Sequence, residues 1–141
     1  MKARIRPVAP CALVWNYDQS QPGWQALQAT CQKAGLALKP VSNTEAGHNV
    51  GWLCGIPGAS EAATLLHLDP DSYPAALILN GLDRKQLDGF LKELNAGGVR
   101  IPLKAVVTAT NQQWPLCELL AELCKERDAM AQYKAQHTPR Q

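Results

Sequence analysis

Apolar and polar positions follow the same order in two stretches of the chain, residues 11–41 and 75–107. In each stretch an apolar run ends in Asn, a polar opening and an amphipathic segment follow, and a Gly precedes a second apolar run. Short bounded apolar runs are typical of strands, and apolar residues three to four apart are typical of helices. Each stretch therefore predicts a strand, a helix and a second strand.

The four predicted strands cover residues 12–16, 36–41, 75–80 and 101–108. Pro40 lacks the N–H that a sheet ladder needs, so the second strand is predicted at an edge of the sheet. The unbroken apolar third strand predicts burial on both faces. Asp83 and Gln86 have the spacing of a capping box, and they predict the start of the second helix. A third helix is predicted to begin near Pro115.

Two β-α-β units predict an α/β two-layer sandwich, with a four-stranded sheet and an additional C-terminal helix. A ferredoxin-like sheet has strands one and three at its centre, antiparallel halves and helices on one face. We favour it over a parallel, flavodoxin-like sheet because the sequence shows no fifth strand. The third helix or a second subunit is then expected to cover the free face.

The length and composition predict one globular domain over residues 11–134, since 46% of residues are hydrophobic and the net charge is only +2. Residues 1–10 are expected to form a flexible lead-in and residues 135–141 a flexible tail. Residues 44–74 predict a loop-rich surface insertion, with two short helices, the second over Ser60–Leu68. Pro7 and Pro10 interrupt the N-terminal apolar run, so we predict a cytoplasmic protein without a signal peptide or membrane span.

The five cysteines are odd in number and form no C-x-x-C pair. Several fall at apolar positions of predicted elements, where a free Cys acts as a small hydrophobe. They are therefore interpreted as structural. A metal site or a nucleophile would require the fold to bring in partners such as His48 or His67, and no metal site or cofactor is predicted.

The sequence IPLKAVVTATNQQW of residues 101–114, followed by LCELLAEL, resembles the signature of a bacterial domain-of-unknown-function family with an "IPLKAVLTPTN..W" block before a terminal helix. AALILNGLDRKQLDGFLKEL and GHNVGWLCG are similar to other elements of that family, so the resemblance covers most of residues 11–130. Ala109 replaces an expected Pro, and Pro115 replaces an expected Thr or Ser. The resemblance supports the predicted fold and implies no known activity.

Polar residues at strand ends are the candidates for ligand binding. Asn16 and Asn80 end corresponding strands, and they would share one sheet edge if those strands were parallel neighbours. Thr108, Thr110, Asn111 and Trp114 precede a helix and could form a cradle for a polar ligand or anion. The alternative is a structured loop in which Thr110 and Asn111 bond the loop's own backbone while Trp114 packs on the core.

No catalytic constellation is present in the sequence. The glycines do not form a phosphate-binding loop, no Ser lies in a nucleophile elbow, and the three histidines are isolated. Nucleic-acid binding is not indicated, because the basic residues are scattered and the net charge is small.

Association with another chain is the leading hypothesis for function. Four residues of the third helix form an apolar stripe that continues beyond the length needed to cover a small sheet: Leu116, Leu123, Met130 and Tyr133. We therefore predict a non-catalytic module that forms a homo-oligomer or binds a protein partner. The alternative is a domain that binds a small polar ligand, or an enzyme, with its site near residues 108–114.

Overall fold

The computed structural model describes residues 10–42, 45–56 and 73–137, with the side chains of the last helix described as far as residue 132. The four strands lie within two residues of their predicted bounds. The predicted helix Ser60–Leu68 lies outside the described residues. The elements in chain order are β1 (Cys11–Trp15), α1 (Trp24–Lys33), β2 (Ala37–Val41), α2 (Val50–Leu53), β3 (Ala76–Asn80), α3 (Arg84–Ala96), β4 (Leu103–Val106) and α4 (Leu116–His137), with 3-10 turns at Glu45–Gly47 and Asn111–Gln113.

The four strands form one mixed sheet in the order β2-β1-β3-β4. The strands of each β-α-β unit are parallel neighbours, and the two units meet through the antiparallel pair β1 and β3. The central position and antiparallel direction of strands one and three match the ferredoxin-like prediction. The adjacent parallel pairs are a feature of the flavodoxin-like alternative. Pro40 lies in the edge strand β2, as predicted.

Both faces of the sheet are covered, because successive strand residues point to opposite sides. Ala12 and Val14 of β1 pack with α1 and α3 on one face. Leu13 and Trp15 face the other side, where α2 and the first turns of α4 pack. Of the two covers expected for the free face, the third helix or a second subunit, the structure shows the helix. Strand β3 is buried on both faces, as its apolar run predicts.

Residues 45–56 form part of the core, whereas the sequence suggested a surface insertion. Ala46, Val50 and Cys54 are spaced four residues apart, and each is at most 1% exposed. This spacing places the three side chains on one side of the 3-10 turn and α2. They pack against β1 and the start of α4 in one cluster.

The repeat extends beyond strand-helix-strand to the details of the backbone. Helices α1 and α3 both end at a left-handed glycine, Gly35 with φ 75° and Gly98 with φ 76°. In each case the N–H after the glycine returns to a helical carbonyl, that of Cys31 at 2.8 Å and that of Leu94 at 3.0 Å. This arrangement is a Schellman motif, for which glycine is favoured because it has no Cβ.

The turn after the second strand of each unit is repeated as well. The N–H of Ser42 donates to Oε1 of Glu45 at 2.9 Å, and the N–H of Thr108 donates to Oδ1 of Asn111 at 2.8 Å. Each turn leads into a 3-10 turn and then a helix. The chain therefore contains two related units, which we call the first unit (residues 11–56) and the second unit (residues 76–137).

Candidate functional site

The loop after β4 uses its polar side chains to hold its own backbone. Asn111 is 8% exposed. Its Oδ1 accepts from the N–H of Thr108 at 2.8 Å, and its Nδ2 donates to the carbonyl of Val106 at 3.0 Å. Oγ1 of Thr108 accepts from the N–H of Asn111 at 3.0 Å. These bonds correspond to the structured-loop alternative, in which the amide of Asn111 serves the fold.

Trp114 and Thr110 belong to the same loop but have different surroundings. Trp114 is half-buried and packs against the core, while Thr110 is exposed. Beside Trp114 lies an open groove of about 300 Å³ along α4. Its walls include Glu122 and Lys125, whose side chains approach to 3.5 Å. The groove is therefore lined by an exposed ion pair, which contributes little to binding or stability.

The expectation that Asn16 and Asn80 share one rim is wrong, because β1 and β3 are antiparallel. In their register Trp15 lies opposite Ala76 and Cys11 lies opposite Asn80, so the two strands end at opposite edges. Asn80 and Thr108 lie at one edge, since β3 and β4 are parallel, and Asn16 lies at the other. A single site that contains all the predicted ligand-binding residues does not form.

Asn16 also has a structural role. Its φ of 57° is in the left-handed region, which Asn tolerates better than most residues. Its Nδ2 donates to the carbonyl of Tyr73 at 3.2 Å. The residue at the same place in the second unit is Gly81, with φ 95°, rather than Asn80. The shared feature at the two strand ends is thus a left-handed turn.

The four residues of the predicted interface fall into different environments along α4. Leu116 is fully buried against the sheet, so it stabilises the fold and is not open to a partner. Leu123 is half-buried and packs against the core. Met130 is 55% exposed. Tyr133 lies in α4, but its side chain is outside the described ones.

The arrangement with the most distinctive chemistry is a cluster of Cys11, Cys54 and Lys39 that the sequence does not reveal. Cys11 begins β1, and Cys54 follows the last residue of α2; each is 1% exposed. The thiol of Cys11 donates to the backbone carbonyl of Cys54, with 3.9 Å between sulfur and oxygen. Nζ of Lys39, on β2, lies 3.5 Å from the same carbonyl.

The surroundings shift the pKa values of these two thiols in opposite directions. The hydrogen bond from Cys54 and the positive charge of Lys39 outweigh burial and lower the pKa of Cys11 to about 7. The shared hydrogen bond and burial raise the pKa of Cys54 well above its usual range. The pair therefore holds one readily formed thiolate beside one protonated thiol, and the thiolate is the nucleophilic form of cysteine.

Sequence reasoning missed this cluster because its members are distant along the chain. The pairing of β1 with β2 places Leu13 opposite Lys39, so that Lys39 and Cys11 share one face of the sheet. Helix α2 and the Cys54 that follows it pack on that face. The pattern of single cysteines at apolar positions gives no local signal for such a contact.

None of the helices in the described part of the chain is long and apolar enough to span a bilayer. Residues 10–42, 45–56 and 73–137 contain no group of three His, Cys, Asp or Glu side chains placed to hold a metal ion.

Comparison with curated proteins and with solved structures gives no match to this chain. A comparison with protein families does give a match, and it covers the second unit from just before β3 to the middle of α4. The expected resemblance to a domain-of-unknown-function family is thereby confirmed for these residues, whereas the resemblance expected from the sequence extended over most of residues 11–130. Residues 75–130 match the family described as Domain of unknown function (DUF3783).

Proposed function

We propose that this chain is a small cytoplasmic, non-catalytic association module, in which the distal part of α4 packs antiparallel against α4 of a second copy. The observation that carries the proposal is the continuation of α4 beyond its contact with the sheet. The helix has 22 residues, which corresponds to about 33 Å. Its buried contacts come from its first two turns, at Leu116, Leu119 and Leu120.

The distal part of α4 extends away from the described core. Residues 125–132 are all exposed in the described part of the chain. An isolated helix shorter than about 12–15 residues is marginally stable in water. Met130 lies on this part of the helix, two turns after Leu123, and its side chain is 55% exposed. A partner that covers Met130 would stabilise the distal turns and remove an apolar side chain from water.

The distribution of charge along α4 favours a second copy in the antiparallel direction. Glu118, Glu122 and Glu126 are four residues apart and form one acidic row on the proximal half. Residues 129–141 contain Lys134 and Arg140 and no acidic side chain. Antiparallel packing places the acidic row of one copy near the basic end of the other, whereas parallel packing places the two acidic rows side by side.

The proposed location is supported by the state of the thiols. All five cysteines are free thiols, so no disulfide cross-links the fold. Proteins of reducing compartments keep their cysteines in this form.

Sedimentation velocity of the full chain, from low to high micromolar concentration, tests the association. We expect a monomer–dimer equilibrium and a rise in helical circular dichroism as the dimer forms. Met130→Lys should weaken the dimer at least tenfold, because it places a charge in the apolar contact. Gln132→Lys is the matched control, since it adds the same charge on the same turn but nearly opposite in direction, and it should leave the dimer intact.

Two results would contradict the proposal. One is a monomer at every concentration. The other is a dimer that Met130→Lys and Gln132→Lys weaken equally, which would place the contact elsewhere on the chain.

A further inference from the structure

We infer that Cys11 and Cys54 form an oxidisable dithiol, which a hydroperoxide converts into an intramolecular disulfide between β1 and the end of α2. The inference concerns the first unit and is independent of association through α4.

The first observation is the direct contact between the two residues. Cys11 and Cys54 are separated by 43 positions along the chain, yet the Cys11 thiol donates to the backbone carbonyl of Cys54 at 3.9 Å. Both belong to one buried cluster on the face of the sheet that α2 and α4 cover. A disulfide requires its two residues to lie close together, and the fold already brings Cys11 against Cys54 inside this cluster.

The second observation is the asymmetry of the pair. Lys39, 3.5 Å from the carbonyl of Cys54, provides positive charge where a thiolate on Cys11 would form. The thiol of Cys54 stabilises that thiolate by donating to it, and together these effects lower the pKa of Cys11 to about 7. A thiol whose pKa is near the ambient pH is the best nucleophile, because it combines a large thiolate fraction with intrinsic reactivity.

The third observation is that packing does not require these residue types. The second unit places Ala76, Ala105 and Leu120 where the first unit has Cys11, Lys39 and Cys54. Those three apolar residues pack in the same core. Apolar side chains therefore suffice for packing at these three positions. At the same positions the first unit has two thiols and an amine.

The proposed reaction has two steps. The thiolate of Cys11 attacks one oxygen of the hydroperoxide, the O–O bond breaks, and the departing oxygen takes a proton, leaving a sulfenic acid on Cys11. The sulfur of Cys54 then attacks the sulfur of Cys11, an S–S bond forms, and the hydroxyl leaves as water with the proton of Cys54. With hydrogen peroxide, two thiols lose two electrons, and the peroxide is reduced to two water molecules.

Access to the buried pair requires only a local opening. Cys54 directly follows the four-residue helix α2, and the next residue, Gly55, is exposed. The Lys39 side chain is half-buried beside this point. A short helix end of this kind opens at a small fraction of the cost of global unfolding, so that a small peroxide can reach the sulfur atoms.

The experiment treats the reduced full-length protein with hydrogen peroxide at neutral pH and maps the cysteines by mass spectrometry after alkylation under denaturing conditions. We expect a peptide that joins Cys11 to Cys54, with the loss of two hydrogens, in the monomer fraction. Reductant should reverse the link. The link should raise the thermal unfolding midpoint by about 5–10 °C, because it constrains the unfolded chain.

Cys31 is the internal control, because it is as buried as Cys11, at 1% exposure, but burial alone acts on it and raises its pKa to about 11. It should remain reduced while Cys11 and Cys54 react. Lys39→Met should slow the linking several-fold without changing which cysteines join. The inference is overturned if Cys11 and Cys54 are still alkylated after treatment, if either links to another cysteine, or if Cys31 oxidises at the same rate.

Discussion

Asn49 and Pro115 lie opposite each other in an isolated antiparallel bridge, at equivalent positions of the two units. Each residue immediately precedes a helix, α2 in the first unit and α4 in the second. In the described residues the two units thus pair through their backbones at two places, between β1 and β3 in the sheet and between Asn49 and Pro115 outside it. The flanking backbone bonds, each 2.9 Å long, run from Val50 N to Trp114 O and from Leu116 N to His48 O.

Val50→Pro tests the contribution of this bridge. Val50 is the first residue of α2, and the preceding Asn49 has φ −65° and ψ 142°, which a following proline permits. The substitution removes the N–H that donates to Trp114 and should lower the free energy of unfolding by about 1–3 kcal/mol. The measurement is a urea titration. Arg84→Pro, at the first residue of α3, is the control and should change stability by less than about 0.5 kcal/mol.

Asn111→Ala should destabilise the protein by about 2–3 kcal/mol, because it leaves the backbone N–H of Thr108 and the carbonyl of Val106 without their side-chain partner. Thr110→Ala, at an exposed neighbouring position, should cost less than about 0.5 kcal/mol. Denaturant unfolding of both variants gives the comparison. Equal costs would mean that the Asn111 bonds do not hold the loop.

The glycines of α3 should respond in opposite directions to the same substitution. Gly98 has φ 76°, and Gly98→Ala should destabilise the Schellman turn by about 1 kcal/mol although nothing lies within 4 Å of the added Cβ. Gly89 lies within the helix with the same open space, and Gly89→Ala should stabilise the protein by about 0.5–1 kcal/mol. Thermal unfolding midpoints would separate the two effects. A gain for Gly98→Ala would contradict the left-handed turn.

The free energy of unfolding should decrease as pH rises through the range in which a buried thiol stays protonated in the folded chain but ionises in the unfolded chain. Burial raises the pKa of Cys31 from 9.0 to about 11. Between these values the unfolded chain loses the thiol proton and the folded chain keeps it, so the free energy of unfolding decreases as pH rises. For Cys31 the loss is on the order of 2 kcal/mol.

Urea titrations at several pH values between 9 and 11 test this point against Cys31→Ala. The variant is expected to be less stable near pH 9, because it leaves a small cavity. Its stability should nevertheless decline less steeply with pH than that of the natural chain. Parallel curves for the two proteins would show that Cys31 does not contribute to the decline.

The candidate site residues were harder to predict from the sequence than the fold. Of the two interpretations of the Asn111 loop, the ordered loop agrees with the hydrogen bonds of Asn111, because Thr and Asn before a helix favour local hydrogen bonds. The shared rim of Asn16 and Asn80 required parallel strands, and β1 and β3 are antiparallel. The cluster of Cys11, Lys39 and Cys54 was not predicted, because single cysteines at apolar positions look the same whether or not the fold brings them together.

The sequence by itself determined the elements and their local endings. The apolar runs located four strands, Pro40 marked an edge strand, Asp83 and Gln86 formed the predicted capping box, and the long apolar face of α4 provided the helix that covers the sheet. These features depend on neighbours within a few residues, where chain geometry fixes the contacts.

Only the tertiary structure revealed the adjacent parallel pairing of the strands within each unit, the bridge from Asn49 to Pro115 and the meeting of Cys11 with Cys54. Each of these joins residues that are tens of positions apart. Their energies come from the burial and pairing of two complete units, so no local pattern in the chain specifies them.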